Sequence, residues 1–458
     1  MTNDSVPQQE PAWPKPNEKQ LLQVFEQSCQ DLCGPAKRRV GRPATVSWSQ
    51  LCLAIMICFL RGWNAQLEVW RLIGSERLGG FAPVKVSDQA IYNRIERAAT
   101  PLHWLFDHVS AWLRTRLAPW EDRHLAPWAT AVYAADASTL DQMSRFLPWL
   151  RTLAEGDTRL LAGQISALFD VRLQQWARVD YWSNAGDHCK THVLMLVERV
   201  QAGALLLFDR GYFSFAFFDQ LSSRGIWWIS RYAHQASYQV SHICYQADGV
   251  LDAIIYLGAS QDNQARYPVR LIQFWLHGRH YRYLTNVLDP HLLKLSDVVG
   301  LYARRWDIAL AFRVLKDHLN LHHLWSAKEA VVQVQLWCCL ILAQVYHALQ
   351  VEIAGQAGVE VFEVSLDLLV RLTPGWLSRG LTPLEHAVRF GRDLGLIRPS
   401  TRHRIEVPWI DPNWVVPPPP EAVQPRERVR YRSQTKGTGA KRTFGLVRLK
   451  AGKLYLLE

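Results

Sequence analysis

The sequence is poor in the signals that mark several common protein classes. Its eight cysteines (Cys29, Cys33, Cys52, Cys58, Cys189, Cys244, Cys338 and Cys339) are scattered, mostly within apolar runs, with no paired C-x2-C units and no Cys/His ladder. That argues against a zinc finger and a disulfide framework, and suits buried free thiols in a reducing cytosol. No secretory signal is visible, because Met1 to Lys19 is polar and proline-rich. The longest apolar stretch, Leu51 to Leu60, is half as long as the roughly 20 residues a bilayer-spanning helix needs. A soluble, cytoplasmic protein without a membrane partner is expected. Glycine-rich phosphate loops, a Ser/His/Asp set, nucleotide fingerprints and internal repeats are also missing.

What is present is positive charge. The 458 residues carry a net charge of +11, with a pI near 9.3 and an apolar fraction of 49%. The apolar share is enough for a buried core, and the length suits two to four domains at about 150 residues each. The charge points to a polyanionic partner, DNA or RNA before others, with a merely basic enzyme as the alternative.

Along the chain, residues 1–34 read as a leading segment, its first part Pro-rich and disordered. Residues 35–120 read as a helical DNA-binding domain. It opens with Lys37, Arg38, Arg39 and Arg42; Gly41-Arg42-Pro43 is close to a minor-groove hook, and a solvated linker fits equally. Ser47 and Gln50 form an S-x-x-Q capping box for a helix running to Arg61. A second helix covers Gln66 to Ile73, and Ser87 caps a third, Asp88 to Ala98. The third turns Ile91 and Ile95 inward and Gln89, Asn93, Arg94 and Arg97 outward, as in a helix-turn-helix reader.

Residues 121–220 change period. An apolar strand from Ala129 ends at Asp136, and Ile165 to Val171 alternates as a strand with one buried face. Leu173 to Trp182 is its neighbour, Asp187 caps a helix from Cys189 to Val200, and Ala204 to Phe208 delivers Asp209. The order strand, strand, strand, helix, strand is that of an α/β, RNase H-like catalytic core. Residues 221–295 read as a β-rich insertion and 296–400 as the helical second part of the core, opening at a Ser296 cap. Residues 401–458 form a basic tail beyond a stiff Pro417 to Pro420 linker. Arg426 to Lys453 holds ten Lys/Arg against Glu427; it is either a second DNA-contacting element or a solvated tail.

The chemistry gathers on two strands and one helix. Asp136 and Asp209 are 73 residues apart, which leaves room for a hairpin, a third strand and a helix between them. Tyr302, Arg305 and Lys316, with Ala309 among them, fall within roughly 60° of one helical stripe. Phosphodiester cleavage without a covalent intermediate can use two Mg²⁺ ions about 3.5–4 Å apart, held by a few converging carboxylates.

These motifs resemble a DDE transposase of bacterial insertion sequences, in the branch marked by Y-x2-R-x3-E-x6-K. The segment Tyr302 to Lys316 matches at Tyr302, Arg305 and Lys316, with Asp209-Arg210-Gly211-Tyr212 and Asp136-Ala137-Ser138 as the two aspartate motifs. The resemblance spans roughly residues 90–345. It implies that Asp136, Asp209 and position 309 coordinate two Mg²⁺ ions, with Mn²⁺ able to substitute, and that Tyr302, Arg305 and Lys316 grip DNA phosphates. It further implies terminal inverted repeats and target DNA as double-stranded partners, a homodimer on paired ends, and a bacterial, nucleoid-associated setting. Hairpin intermediates stay open.

Position 309 departs from the pattern, being alanine. Asp307 points about 160° away around the helix, and Asp317 is about 80° off and roughly 12 Å further along. Neither replaces the missing ligand, so the chain is expected to bind transposon ends and cut them poorly. Arg210, Arg231, Arg94 and Arg42 are further candidates for DNA contact, with solvated arginine as the alternative. His318 and His322 form an i, i+4 pair without a third ligand, Asp187-His188 resembles a family pair, and Trp306 reads as core. A non-catalytic DNA-binding protein and an RNase H-like nuclease without strand transfer are the competing readings.

Overall fold

The computed structural model describes residues 45–141, 161–185, 187, 189–233, 236–259, 263–326, 328–400, 406–408, 410–411, 414 and 423–431. The expected leading segment, the basic cluster with Arg42, His188, the proline linker and residues 432–458 of the basic tail lie outside the described residues.

Four helices open the described chain: α1 (Trp48–Leu60), α2 (Gln66–Ser75), α3 (Asp88–Ile95) and α4 (Ala99–Leu117). The Ser47 hydroxyl caps α1 by accepting from the Gln50 N–H at 3.1 Å. The Gln50 side chain does not close the capping box; its amide donates to the Ala82 carbonyl at 3.1 Å and ties α1 to the turn before α3. Ser87 caps α3, whose Ile91 and Ile95 are fully buried. Gln89, Asn93 and Arg97 are exposed. Arg94, expected outward with them, is half-buried, with its guanidinium 4.4 Å from the Trp48 ring.

The centre of the molecule is one nine-stranded sheet in the order β3-β2-β1-β4-β5-β9-β8-β7-β6. Its strands are β1 (Val132–Asp141), β2 (Leu161–Asp170), β3 (Gln175–Trp182), β4 (Leu205–Leu207), β5 (Trp227–Arg231), β6 (Tyr238–Ala247), β7 (Val250–Leu257), β8 (Val269–Leu276) and β9 (Arg279–Thr285). β1, β4 and β5 run parallel, and the remaining pairings are antiparallel. α5 (Cys189–Leu196) precedes β4 and α6 (Phe215–Ser223) follows it. This mixed α/β sheet is consistent with the RNase H-like expectation and corrects two details. Asp136 sits inside β1 rather than at its end. β2 is covered on both faces, because residues 163–170 are all buried. In the β-rich region, β5 continues the parallel part, and β6 to β9 extend the same sheet through β9, a continuity the sequence reading leaves open.

Past the sheet come α7 (Leu295–Ala303), α8 (Trp306–Arg313), a π-helical turn (Val314–His318), α9 (Glu329–Ala357), α10 (Leu366–Ser378) and α11 (Pro383–Phe390). α7 begins behind Lys294, not at a Ser296 cap; the Ser296 hydroxyl donates to Asp297 instead. α9 exceeds the apolar run at Leu51 to Leu60: it is 29 residues long and apolar enough to cross a membrane, yet 83% of its most apolar window is buried inside the fold. It packs on α4 and on β3. Gln344 of α9 stands in for a neighbouring strand, accepting from the Trp176 N–H at 2.8 Å and donating to the Trp176 carbonyl at 3.0 Å. A third bond, to Ser110 Oγ at 2.7 Å, reaches α4. Cys52, Cys58, Cys244, Cys338 and Cys339 are buried, and none of the five forms a disulfide among the described residues.

The tail departs from its compositional reading at its start. Arg426 is tied to the sheet, donating to the carbonyls of Leu257 at 2.9 Å and Ala265 at 3.0 Å. Tyr431 donates to Asp219 at 2.9 Å. A guanidinium that finds backbone oxygens is a structural clamp, which a count of charges does not reveal.

Candidate active site

Four adjacent strands bring one residue each to the same level of the sheet. The parallel register aligns Ala134 with Leu207 and Leu207 with Ile229. Two residues further along, Asp136 stands within β1, Asp209 lies just past the end of β4 as the cap of the next turn, and Arg231 ends β5, paired with Tyr283 of β9. Neighbouring strands lie about 4.8 Å apart, and side chains alternate between faces. Because Val132, Ala134, Leu205, Leu207 and Ile229 pack in the same core as Ile308, Ala311 and Phe312 of α8, the row faces α8.

Each carboxylate is partly held by its own backbone. Asp136 Oδ1 accepts from the Ala137 N–H at 2.8 Å, and Asp209 Oδ1 accepts from the Gly211 N–H at 2.7 Å. Asp136 Oδ2 accepts from Arg305 Nη1 at 3.4 Å. Burial pushes the Asp136 carboxyl above the usual carboxylate range, and the charge of Asp209 adds to the rise; the Ala137 N–H and Arg305 oppose it. The two acids therefore feel one another, as their places in the row require.

The helical part of the site is not one uniform helix. Hydrogen bonds from Arg304 to Leu301, Arg305 to Tyr302 and Asp307 to Arg304 tighten the chain to i, i−3 spacing between α7 and α8, and the π turn then loosens it. Counting at 100° per residue fails across both irregularities. Arg305 and Ala309 still face the row's side of α8, whereas Lys316 belongs to the π turn, packed against α9 and α10. Ala309, one turn beyond Arg305, is half-buried and offers only a methyl group.

Tyr302 is 5% exposed, with its ring 5.1 Å from Tyr283. Burial pushes its hydroxyl up to about 12, with Asp209 adding to the rise and Arg305 and Arg231 opposing it. Arg231 is exposed and lies 5.6 Å from the Tyr302 ring and 5.9 Å from Tyr281 and Tyr283. Arg210 is exposed at the start of a short 3₁₀ turn. Tyr281 and Tyr283 were missed in the sequence; their period-two spacing on a strand was the available signal. Trp306 is not core: it is 58% exposed, with the Arg305 guanidinium 4.5 Å from its ring.

The other acids are engaged elsewhere. Asp307 is buried and accepts from Gln174 at 3.0 Å and Arg304 at 2.8 Å. Asp317 pairs with Arg313 at 3.2 Å. His318 faces Asp367 at 3.2 Å, while His322 turns to the Lys316 carbonyl, so the two histidines do not form a pair. Asp187 accepts from His192 at 2.9 Å, and that ring stacks on Trp182. Among the described residues no group of three or more His, Cys, Asp or Glu could hold a metal ion.

Residues 138–344 match the family described as the transposase DDE domain, starting two residues after Asp136 and including Asp209 and Ala309. Over that stretch the chain is similar to transposase DDE domains. Two relatives are similar to it: a protein named as transposase y4zB of Sinorhizobium fredii, 23% identical over 31% of this chain, and the transposase InsG of insertion sequence element IS4 of Escherichia coli, 25% identical over 32%. The matches span 41% and 35% of those relatives' own lengths. Among solved structures, a cryo-EM structure of the piggyBac transposase synaptic complex with hairpin DNA is 11% identical, covers 81% of each chain and has a TM-score of 0.40. The matched stretch contains most of the sheet, both helices beside the row and the first half of α9.

Proposed function

We propose that this chain is a transposase that binds the terminal inverted repeats of an insertion sequence as double-stranded DNA. In this reading it belongs to a Mg²⁺-dependent machinery that cuts the flanks and joins a 3′-hydroxyl to target DNA, acting as a homodimer on paired ends. This chain cuts poorly, because Ala309 stands where the third acid ligand is needed. The observation that supports the reading is Asp136 in β1 beside Asp209 just past the end of neighbouring β4, with Arg305 at the start of α8 bonded to Asp136.

Asp136 and Asp209 offer hard carboxylate oxygens, which suit Mg²⁺, and Asp209 Oδ2 has no protein donor among the described residues. Two acids fit one shared ion; the methyl of Ala309 supplies nothing for a second. Bound there, the ion would make an attacking oxygen more nucleophilic and stabilise the leaving oxygen. The chain's own part is to orient. Arg305 and Arg231 bring positive charge to the row, Tyr302 and Tyr283 wall it, and the backbone N–H groups of Ala137 and Gly211 fix the two carboxylates.

The test is Ala309→Glu, assayed for cleavage of an inverted-repeat duplex with and without Mg²⁺. Metal-dependent cutting should rise by at least about 100-fold, the scale on which one catalytic group acts. Equal activity in both forms would sink the assignment. A second reading, a non-catalytic DNA-binding protein derived from a transposase, is favoured by the contact of Arg305 with the acid that a metal would need. Gel shift on inverted repeats without any Mg²⁺-dependent product in the Ala309→Glu form would select it.

A further inference from the structure

We propose that Arg305 is a displaceable counterion: without DNA its guanidinium occupies Asp136, and a DNA phosphate entering the row draws it away and opens that carboxylate to a divalent cation. The inference rests on the reading of the row as a DNA-cutting site, and adds an order of events to it.

Three observations carry it. The contact to Asp136 is single and long, 3.4 Å, where a charge-assisted N–H···O bond is normally about 2.7–2.9 Å. The Nε of Arg305 is buried and has no partner, in a residue only 7% exposed. A guanidinium with five N–H groups and one weak bond has unmet capacity for an anion, and the fork geometry suits phosphate. Among the described residues no nearer acceptor is bonded to it: position 309 is a methyl, and Asp307 already accepts from Gln174 and Arg304. Trp306, stacked on the guanidinium at 4.5 Å, and the Tyr302 ring at 6.0 Å leave it a flat track along which to shift rather than a closed cage.

A cation and a guanidinium cannot both hold Asp136 Oδ2 without strong repulsion. Whatever removes Arg305 from that oxygen therefore raises metal affinity, and by linkage the metal raises affinity for whatever removes Arg305, by the same factor. Because Ala309 keeps cleavage slow in this chain, both halves of that cycle can be measured at equilibrium.

The experiment is titration of the full chain with Mn²⁺, followed by electron paramagnetic resonance, with and without a short DNA duplex. Without DNA, Arg305→Gln should bind Mn²⁺ on the order of tenfold more tightly than the parent. Added duplex should tighten Mn²⁺ binding by the parent more than by Arg305→Gln, and Asp136→Asn should lose the site in every condition. Equal Mn²⁺ affinity of parent and Arg305→Gln without DNA would overturn the proposal, as would an equal gain from duplex in both. Should Arg305→Gln fail to fold, the parent alone decides: Mn²⁺ must tighten duplex binding by the factor with which duplex tightens Mn²⁺, and no mutual effect overturns the idea. Failure to bind any duplex, with tighter Mn²⁺ binding by Arg305→Gln retained, would instead overturn the DNA-cutting reading, and the phosphate step with it.

Discussion

Arg270 holds both carboxylate oxygens of Asp252, one at 2.7 Å, and reaches the Leu293 carbonyl at 2.6 Å with its remaining arm. Arg305 touches Asp136 once and keeps a buried N–H without a partner. By strand alternation both pairs project from the same face of the same sheet. The first is fully enclosed, at 0% and 4% side-chain exposure, and anchors the turn that leads into α7. The second has an acid 24% exposed and is incomplete. The two pairs thus differ in burial and, more sharply, in how fully their hydrogen-bonding groups are used. An unpaired buried group is retained only at a cost in stability.

That contrast can be broken most forcefully at the complete pair. Asp252→Ala strands a buried guanidinium and should destabilise the fold by about 3–5 kcal/mol. A loss below about 1 kcal/mol in urea denaturation would show that the pair is not the anchor it resembles. A pH effect follows from His347, fully buried against Phe169, where burial pulls its pKa down from 6.5 to about 4. The unfolded chain binds this proton and the folded one does not, so stability is present above pH 6.5 and is lost as pH falls toward 4. The slope reaches about 1.4 kcal/mol per pH unit. His347→Gln should flatten that limb in thermal melts across the window, and an unchanged slope would refute the assignment.

Gln344→Leu tests a second complete set. It leaves the N–H and carbonyl of Trp176 without partners and should cost about 1–3 kcal/mol for each orphaned group; a neutral result in chemical denaturation would mean that water takes its place. The smallest effect is expected at the incomplete pair. Asp136 has a raised folded pKa, so its destabilising contribution is absent below the ordinary carboxylate value and grows as pH rises from there through the folded value. Asp136→Asn should accordingly raise the melting temperature slightly at neutral pH and leave it unchanged in acid, opposite in sign to the change at Asp252. A lower melting temperature for Asp136→Asn at neutral pH would erase the distinction between the two pairs.

Asp136 and Asp209 stand out in the sequence because each follows an apolar run, although an acid there is more often structural or a cap than a ligand. The caps at Ser47 and Ser87 were legible for the same local reason. What sequence could not convey is long-range. Nothing local tells that Trp227–Arg231 joins the parallel strands or that β9 continues the sheet from it. Lys316 was set on the Tyr302 stripe by a uniform helical period, which the 3₁₀ tightening and the π turn both interrupt. Trp306 was read as core because indole is apolar, yet its position on α8 faces outward and its ring serves a guanidinium. Arg426 reads as part of a DNA-contacting or solvated tail because composition cannot see carbonyls waiting at β7.

The unbroken nine-strand sheet has a practical corollary. The interval from Asp136 to Tyr283 is counted out in strand widths by backbone ladders, as on a ruler, and no hinge lies between the marks. Lengthening the hairpin tips at Asp248-Gly249 or His277-Gly278 would leave that interval untouched. Only adding or removing a whole strand between β1 and β9 could rescale it, so redesign of reach in this molecule has to proceed by discrete steps.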